Sequence, residues 1–390
     1  MSEAPEYFLN SYKECRQAFR SSAKRAAARF KHSSRRAIDA GGKGKIDTIL
    51  LRARRKDSKR LILISSGVHG VEGFVGSAIQ RRLLDDFTAD LFPLRSDVLF
   101  VHGINPFGFR KKRRVNQNNV DLNRNFYLKR EKIPKKEKNK GYRRLASFFM
   151  PGLPFTFWPL EFAVFAVRFL GIMIRFGARK FTDAAVNGQF EFKRGIYYGG
   201  RKPEPVVRRL REFFAQTVSG YEEILFLDVH TGYGEENGIL LIQNADRGSY
   251  EDQNIERISA GLPLTRPDSG ETFYKTAGDF TDFLRRIFPE RKNIFPLTVE
   301  LGTVGNLQLY GALRSSFLVV AENRIHHRGA WFPSTRKKVR EKFLRLFYPA
   351  AEKWRQHALS SSIILCRELF ERFENLPSGQ VHLPEPVRAP

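Results

Sequence analysis

An apolar run, Leu61 to Ile64, leads directly into Ser65-Ser66-Gly67-Val68-His69-Gly70-Val71-Glu72-Gly73. The run reads as a buried strand, and the segment from about Phe74 to Asp85 reads as a helix. The glycines between them mark a tight turn. His69 and Glu72 therefore sit on a glycine-rich loop just past a strand end. In an open α/β sheet, that edge is where active sites are built. Imidazole and carboxylate both ligate zinc, and one loop can aim both at one ion. Two ligands do not make a site, so the rest of the chain must supply a third.

Further strand-like runs lie at Ile46 to Ala53, Arg60 to Ser66, Asp97 to His102, Glu223 to Asp228, Gly238 to Gln243 and Asn293 to Leu301, with Phe317 to Ala321 as a last strand. Residues 6–30 read as one N-terminal helix, with Phe8, Tyr12, Cys15 and Phe19 at helical spacing. Pro203 to Ser219 reads as a helix with proline at its start. Residues 334–376 read as two helices, followed by a Pro-rich tail. The chain has 390 residues, 42% of them hydrophobic, enough to bury a large core. The expectation is one α/β domain over residues 1–390, carrying a basic and apolar insert at residues 129–200.

The two cysteines, Cys15 and Cys366, exclude a disulfide framework or a thiolate metal site. Met1 to Glu6 lacks the pattern of a signal peptide, so a reducing, cytoplasmic location is expected. Net charge is +27, a field that attracts anionic surfaces. No nucleic-acid motif accompanies it. Within the insert, Leu160 to Ala178 reads as a helix whose Glu161, Arg168 and Arg175 share one stripe. It is either packed over the core or lies in a membrane interface, flanked by basic residues that favour anionic lipid. No apolar run is long and proline-free enough to span a bilayer.

Three more polar clusters follow strands. His230 ends the run Ile224-Leu225-Phe226-Leu227-Asp228-Val229, with Asp228 placed either to orient it or merely to end the strand. Glu300 lies on an apolar strand beside glycine, where a carboxylate needs a partner or a task. Residues 113–126 are rich in Asn and Arg, which suit a carboxylate or a developing oxyanion. The simplest account is one zinc ion held by His69, Glu72 and His230, with a fourth position open to water. Glu300 would act as general base, Arg114 would stabilise the oxyanion, and Asn123 and Arg124 would hold a substrate carboxylate. His102, His326 and His327 read as structural.

Together these pieces resemble the zinc carboxypeptidases, or funnelins. The resemblance rests on His69-Gly70-Val71-Glu72, Asn105-Pro106 with Arg114, Asp121-Leu122-Asn123-Arg124-Asn125-Phe126, His230 and Glu300, over roughly residues 60–305. Arg114 is preferred to Arg113 by its spacing to Asn123. The phrases Ser66-Gly67-Val68-His69-Gly70-Val71-Glu72-Gly73 and Gly195-Ile196-Tyr197-Tyr198-Gly199-Gly200 resemble an uncharacterised bacterial branch of that family. The resemblance implies a mixed, mostly parallel, twisted eight-stranded sheet with helices on both faces, one zinc ion, and peptide or amide hydrolysis. It also implies a mobile tyrosine, matched by Tyr274, and a specificity residue near Thr281.

Three functions follow from these readings. The first is a zinc metallocarboxypeptidase acting on peptides with a free C-terminal carboxylate. The second is an acyl-amino-acid amidohydrolase of the aspartoacylase or succinylglutamate desuccinylase type. Those relatives usually add a small β-rich C-terminal domain, whereas this C-terminus reads helical. The third is a non-catalytic membrane-surface binding protein on the same scaffold.

Overall fold

The computed structural model describes residues 4–30, 32–42, 44–53, 58–91, 95–129, 139–266, 278–291, 293–304 and 308–377. Its centre is an eight-stranded sheet in the order β1-β2-β4-β3-β5-β8-β6-β7. The strands are β1 Ser33–Asp39, β2 Lys45–Leu51, β3 Arg60–Ser66, β4 Asp97–His102, β5 Glu223–Thr231, β6 Ile239–Ile242, β7 Leu264–Thr265 and β8 Ile294–Leu301. β3 pairs in parallel with β4 and β5, β5 with β8, and β6 with β7. The remaining pairs, β1–β2, β2–β4 and β6–β8, are antiparallel. The sheet is thus mixed and mostly parallel, as expected.

The central strands read as unbroken apolar runs because both faces are covered. Ile62 and Ile64 of β3 point into one core with Phe74 and Leu83 of the Gly73–Thr88 helix and Leu369 and Phe373 of the Glu352–Glu374 helix. Leu61 and Leu63 point the other way, onto Leu210 and Phe214 of the Pro205–Thr217 helix. A third cluster lies beside the sheet. There the Trp158–Val186 helix packs Phe165 and Phe169 against Phe317 of the Gln308–Arg328 helix and Phe343 of the Pro333–Phe347 helix.

The chain leaves β3 for β4 on one side and returns to β5 on the other. Strand order therefore reverses at the β3–β5 pair, which opens a crevice at the carboxyl ends of those strands.

Two expectations need correction. Phe317–Ala321 is not a last strand but the middle of the Gln308–Arg328 helix. All five of its residues are buried, so the run shows no stripe, and a short apolar run fits strand or buried helix equally. Residues 6–30 are two helices, Ala4–Tyr7 and Tyr12–Arg29. Ser11 restarts the helix through a capping box with Glu14, which satisfies backbone donors at the new N-terminus. β1 carries no strand signal in the sequence, because its residues are almost wholly exposed and show no apolar alternation. Cys15 and Cys366 are both buried free thiols.

Candidate metal centre

After β3, Gly67 turns the chain at a φ of +73°, a conformation glycine adopts without penalty. His69 then caps a 3-10 turn, Gly70–Glu72, that runs into the Gly73–Thr88 helix. Gly70 has no alternative. A Cβ there would lie 2.1 Å from the carbonyl carbon of Gly108 and 2.2 Å from the nitrogen of Phe109. The close approach lets the turn dock on the next loop: the Gly70 and Val71 N–H groups donate to the carbonyls of Arg114 (3.1 Å) and Arg113 (2.9 Å). Asn105 Nδ2 donates to the same Arg114 carbonyl at 3.2 Å. Arg114 is therefore fixed by its backbone beside the His69 turn.

His69, Glu72 and His230 are all buried, and one ligand atom from each lies within 4.8 Å of the others. They are the one such trio of His, Cys, Asp or Glu found among the described residues. Glu72 stands between the rings. Its Oε1 is 2.8 Å from His69 Nδ1 and its Oε2 is 3.0 Å from His230 Nδ1. The far nitrogen of each ring faces another carboxylate. His69 Nε2 is 3.2 Å from Asp121 Oδ1, and His230 Nε2 is 2.6 Å from Asp228 Oδ2. Asp228 is itself held by the Ser65 hydroxyl, which donates to Oδ1 at 2.5 Å. Carboxylates behind ligating imidazoles are the usual outer support of a metal site, fixing the tautomer so that the inner nitrogen offers its lone pair. His69 Nδ1 is buried and makes no hydrogen bond, despite the nearby Glu72 oxygen. The donor set, its outer carboxylates and this unsatisfied nitrogen fit a divalent cation of the zinc type.

The electrostatics agree. Burial disfavours charge on Glu72, but the two imidazoles outweigh it and hold the carboxyl below its ordinary range. Burial also works against protonated His230, yet Asp228 and Glu72 hold its pKa well above the usual value. Metal binding at these nitrogens would compete with their protonation, so affinity should rise with pH.

Glu300 and His230 are register partners on the adjacent parallel strands β8 and β5, so their side chains share a face. Glu300 Oε1 accepts the Tyr233 N–H at 2.8 Å. Burial, reinforced by the charge on Glu72, pushes the Glu300 carboxyl up to about 8. Arg114 Nε donates to Asp121 Oδ2 at 3.1 Å, and its Nη1 lies 3.5 Å from Glu72 Oε1. Arg113 turns away to Glu322, with Nε donating to Oε1 at 2.7 Å. The two arginines thus part at the backbone, and Arg114 is the one that faces the trio.

Asp121 caps the short turn Leu122–Arg124, accepting the Asn123 N–H at 3.0 Å. Asn123 Oδ1 accepts the Phe280 N–H at 2.8 Å, which ties this turn to the chain beyond Gly278. Arg124 is buried and donates from Nη1 to the Asn123 carbonyl at 2.7 Å. Thr281 is buried, and its hydroxyl donates to Asp279 at 3.2 Å. Tyr274 lies outside the described residues.

Two participants carried no assigned role in the sequence reading. Asp121 sat inside a quoted motif, but only the fold brings it to His69. Tyr197 adopts a left-handed φ of 53° and sets its ring 5.3 Å from the Arg114 guanidinium. A bulky residue in that region is rare and marks an over-determined place. The signal available was the glycine-flanked Tyr197-Tyr198 pair.

Fold and site define an α/β protein with a candidate metal centre at the crevice where strand order reverses. The chain belongs to the family described as "Protein of unknown function (DUF2817)", whose sequence model matches residues 8–361. No curated protein matches it. Similar solved structures include bovine thrombin-activatable fibrinolysis inhibitor in complex with tick carboxypeptidase inhibitor, at 14% identity over 83% of this chain and 98% of that one, with a TM-score of 0.46. Carboxypeptidase A from Helicoverpa armigera is 15% identical over 88% of this chain and 75% of its own, at a TM-score of 0.46. Succinylglutamate desuccinylase from Vibrio cholerae is 14% identical over 82% and 71%, at 0.37.

Proposed function

We propose that the chain is a zinc-dependent hydrolase of the carboxypeptidase type, cleaving a peptide or amide bond next to a free carboxylate. The observation that carries this reading is the convergence of His69 Nδ1, Glu72 and His230 Nδ1 beside the buried carboxyl of Glu300. Bound there, zinc would lower the pKa of a water to about 7 and polarise a substrate carbonyl. Glu300 would serve as the general base beside that site, holding a proton and passing it to the leaving nitrogen. A carboxyl with its pKa pushed up toward neutrality is suited to both halves of that transfer. Arg114 presents its guanidinium to the developing oxyanion, and Asp121 and Tyr197 hold it in place. Asn123 and Arg124 receive the substrate carboxylate, the Asn123 amide being oriented by the Phe280 N–H. The match of these residues to the zinc carboxypeptidase motifs supports the assignment.

The test is hydrolysis of one peptide as free acid and as C-terminal amide. Loss of the carboxylate should lower kcat/KM by roughly a hundredfold or more, the scale of a charge-assisted contact or two. Equal turnover of both would overturn the carboxylate requirement, and turnover of N-acyl amino acids alone would move the site to the amidohydrolase class.

A further inference from the structure

The Trp158–Val186 helix buries Phe165, Phe169 and Phe181, yet its opposite side is apolar too. Leu160, Val164, Val167, Leu170 and Ile174 are 58%, 48%, 71%, 46% and 88% exposed. Leu160, Val167 and Ile174 recur every seven residues with Val164 between them, so they line one outward stripe roughly 21 Å long. A helix on a protein surface ordinarily carries polar residues there. Single exposed apolar residues need no explanation, but a continuous row marks an interaction surface.

The row continues past the start of the helix. Phe155 N–H donates to the Gly329 carbonyl and Trp331 N–H to the Phe155 carbonyl, at 3.0 and 2.9 Å. This pairing sets exposed Trp331 and Phe332 beside exposed Leu153 and Phe157. The exposed charges beside the stripe are cations, Arg168 and Arg175, and Arg179 and Lys180 follow just past the non-helical break at Gly177. Glu161, the acid near its start, is tied to Arg324 at 2.6 Å. On the adjoining Pro333–Phe347 helix, Lys338 and Lys342 reach over the Trp158 ring at 5.6 and 5.4 Å. Exposed Arg336 and Arg340 extend that cationic rim, and Lys337 there is paired with exposed Glu341 at 4.0 Å. Among the described residues, no helix is long and apolar enough to cross a membrane.

We propose that this face docks on an anionic lipid bilayer, with the stripe lying in the interface plane. Leu160, Val167 and Ile174 enter the acyl boundary, the flanking Arg and Lys side chains meet lipid phosphates, and Trp331 sits at the headgroup level. Charge complementarity selects this occupant. A second copy would bring an identical cationic rim, and another +27, against the first. The proposal is independent of the hydrolase reading.

The experiment is flotation of the full chain with phosphatidylcholine vesicles, with and without phosphatidylglycerol, at low and at high salt. The protein should float with anionic vesicles at low salt and release as salt rises, with Trp331 emission shifting to the blue. Substituting Val167→Glu and Ile174→Glu together should weaken binding roughly tenfold or more. Both side chains point into water, so the double variant should keep the wild-type circular dichroism. Three results would overturn the proposal. One is no flotation with anionic vesicles at low salt. Another is equal binding by the double variant, which would place the contact elsewhere. The third is a dimer that the double variant converts to a monomer, which would assign the face to a second copy.

Discussion

The strand-end cluster and the outer face of the Trp158–Val186 helix treat polarity in opposite ways. At the first, four carboxylates and two imidazoles are packed out of water: Glu72, Asp121, Asp228 and Glu300 with His69 and His230. On the second, five aliphatic side chains stand in water within reach of cations. Each arrangement is costly in the chain alone. Buried charge is tolerated only when paired or given a task, and a row of exposed aliphatics forgoes the stabilisation that burial would give those side chains. The comparison teaches that a departure from the polar-out rule has a direction. An excess of buried donors calls for a cation, and an excess of exposed carbon calls for an apolar phase.

The largest expected effect probes the cluster. Glu300→Gln keeps the shape of the side chain and removes its proton chemistry. It should lower kcat by roughly a thousandfold, within the usual range for a general base, while zinc remains bound. Retained turnover would break the contrast by making the buried carboxyl a packing group.

The next prediction separates the two faces of the helix. Phe169→Ala, inside, should lower stability by about 3–5 kcal/mol in denaturant titrations. Val167→Ala, outside, should stay within about 0.5 kcal/mol of wild type. A large loss at Val167 would show that the stripe is already covered.

A pH-dependent effect comes from His102, a buried polar group without the cluster's carboxylates. It stacks on Phe19, accepts or donates one hydrogen bond with Ser77, and burial pushes its pKa down to about 3. The sign follows from the neutral folded form. Below about 6.5 the unfolded chain takes up a proton that the native state refuses, so stability falls as pH drops from 6.5 toward 3. Between pH 6.5 and 5, wild type should lose about 1.6 kcal/mol more than His102→Gln. Equal losses would mean that His102 is charged in the fold.

Much of this architecture was readable from residues alone. Asp97–His102 is a strand with the bounds its apolar run suggests, and His69, His230 and Glu300 stand at strand ends, where glycine interrupts such runs. What the sequence hides is long-range. Asp121 lies 52 positions from His69 and Glu72 lies 158 from His230, so their pairing follows from the reversal of strand order rather than from any local spacing. The Phe317–Ala321 helix was hidden for a different reason: a segment buried on every side has no period to read. The expectation for Tyr274 falls outside the described residues.

The most direct test of the metal centre is elemental analysis after zinc reconstitution and dialysis, wild type against His69→Ala. The account predicts about one zinc per wild-type chain and close to none in the variant, with circular dichroism unchanged. A wild type that retains no divalent metal, or a variant that retains as much, would contradict it.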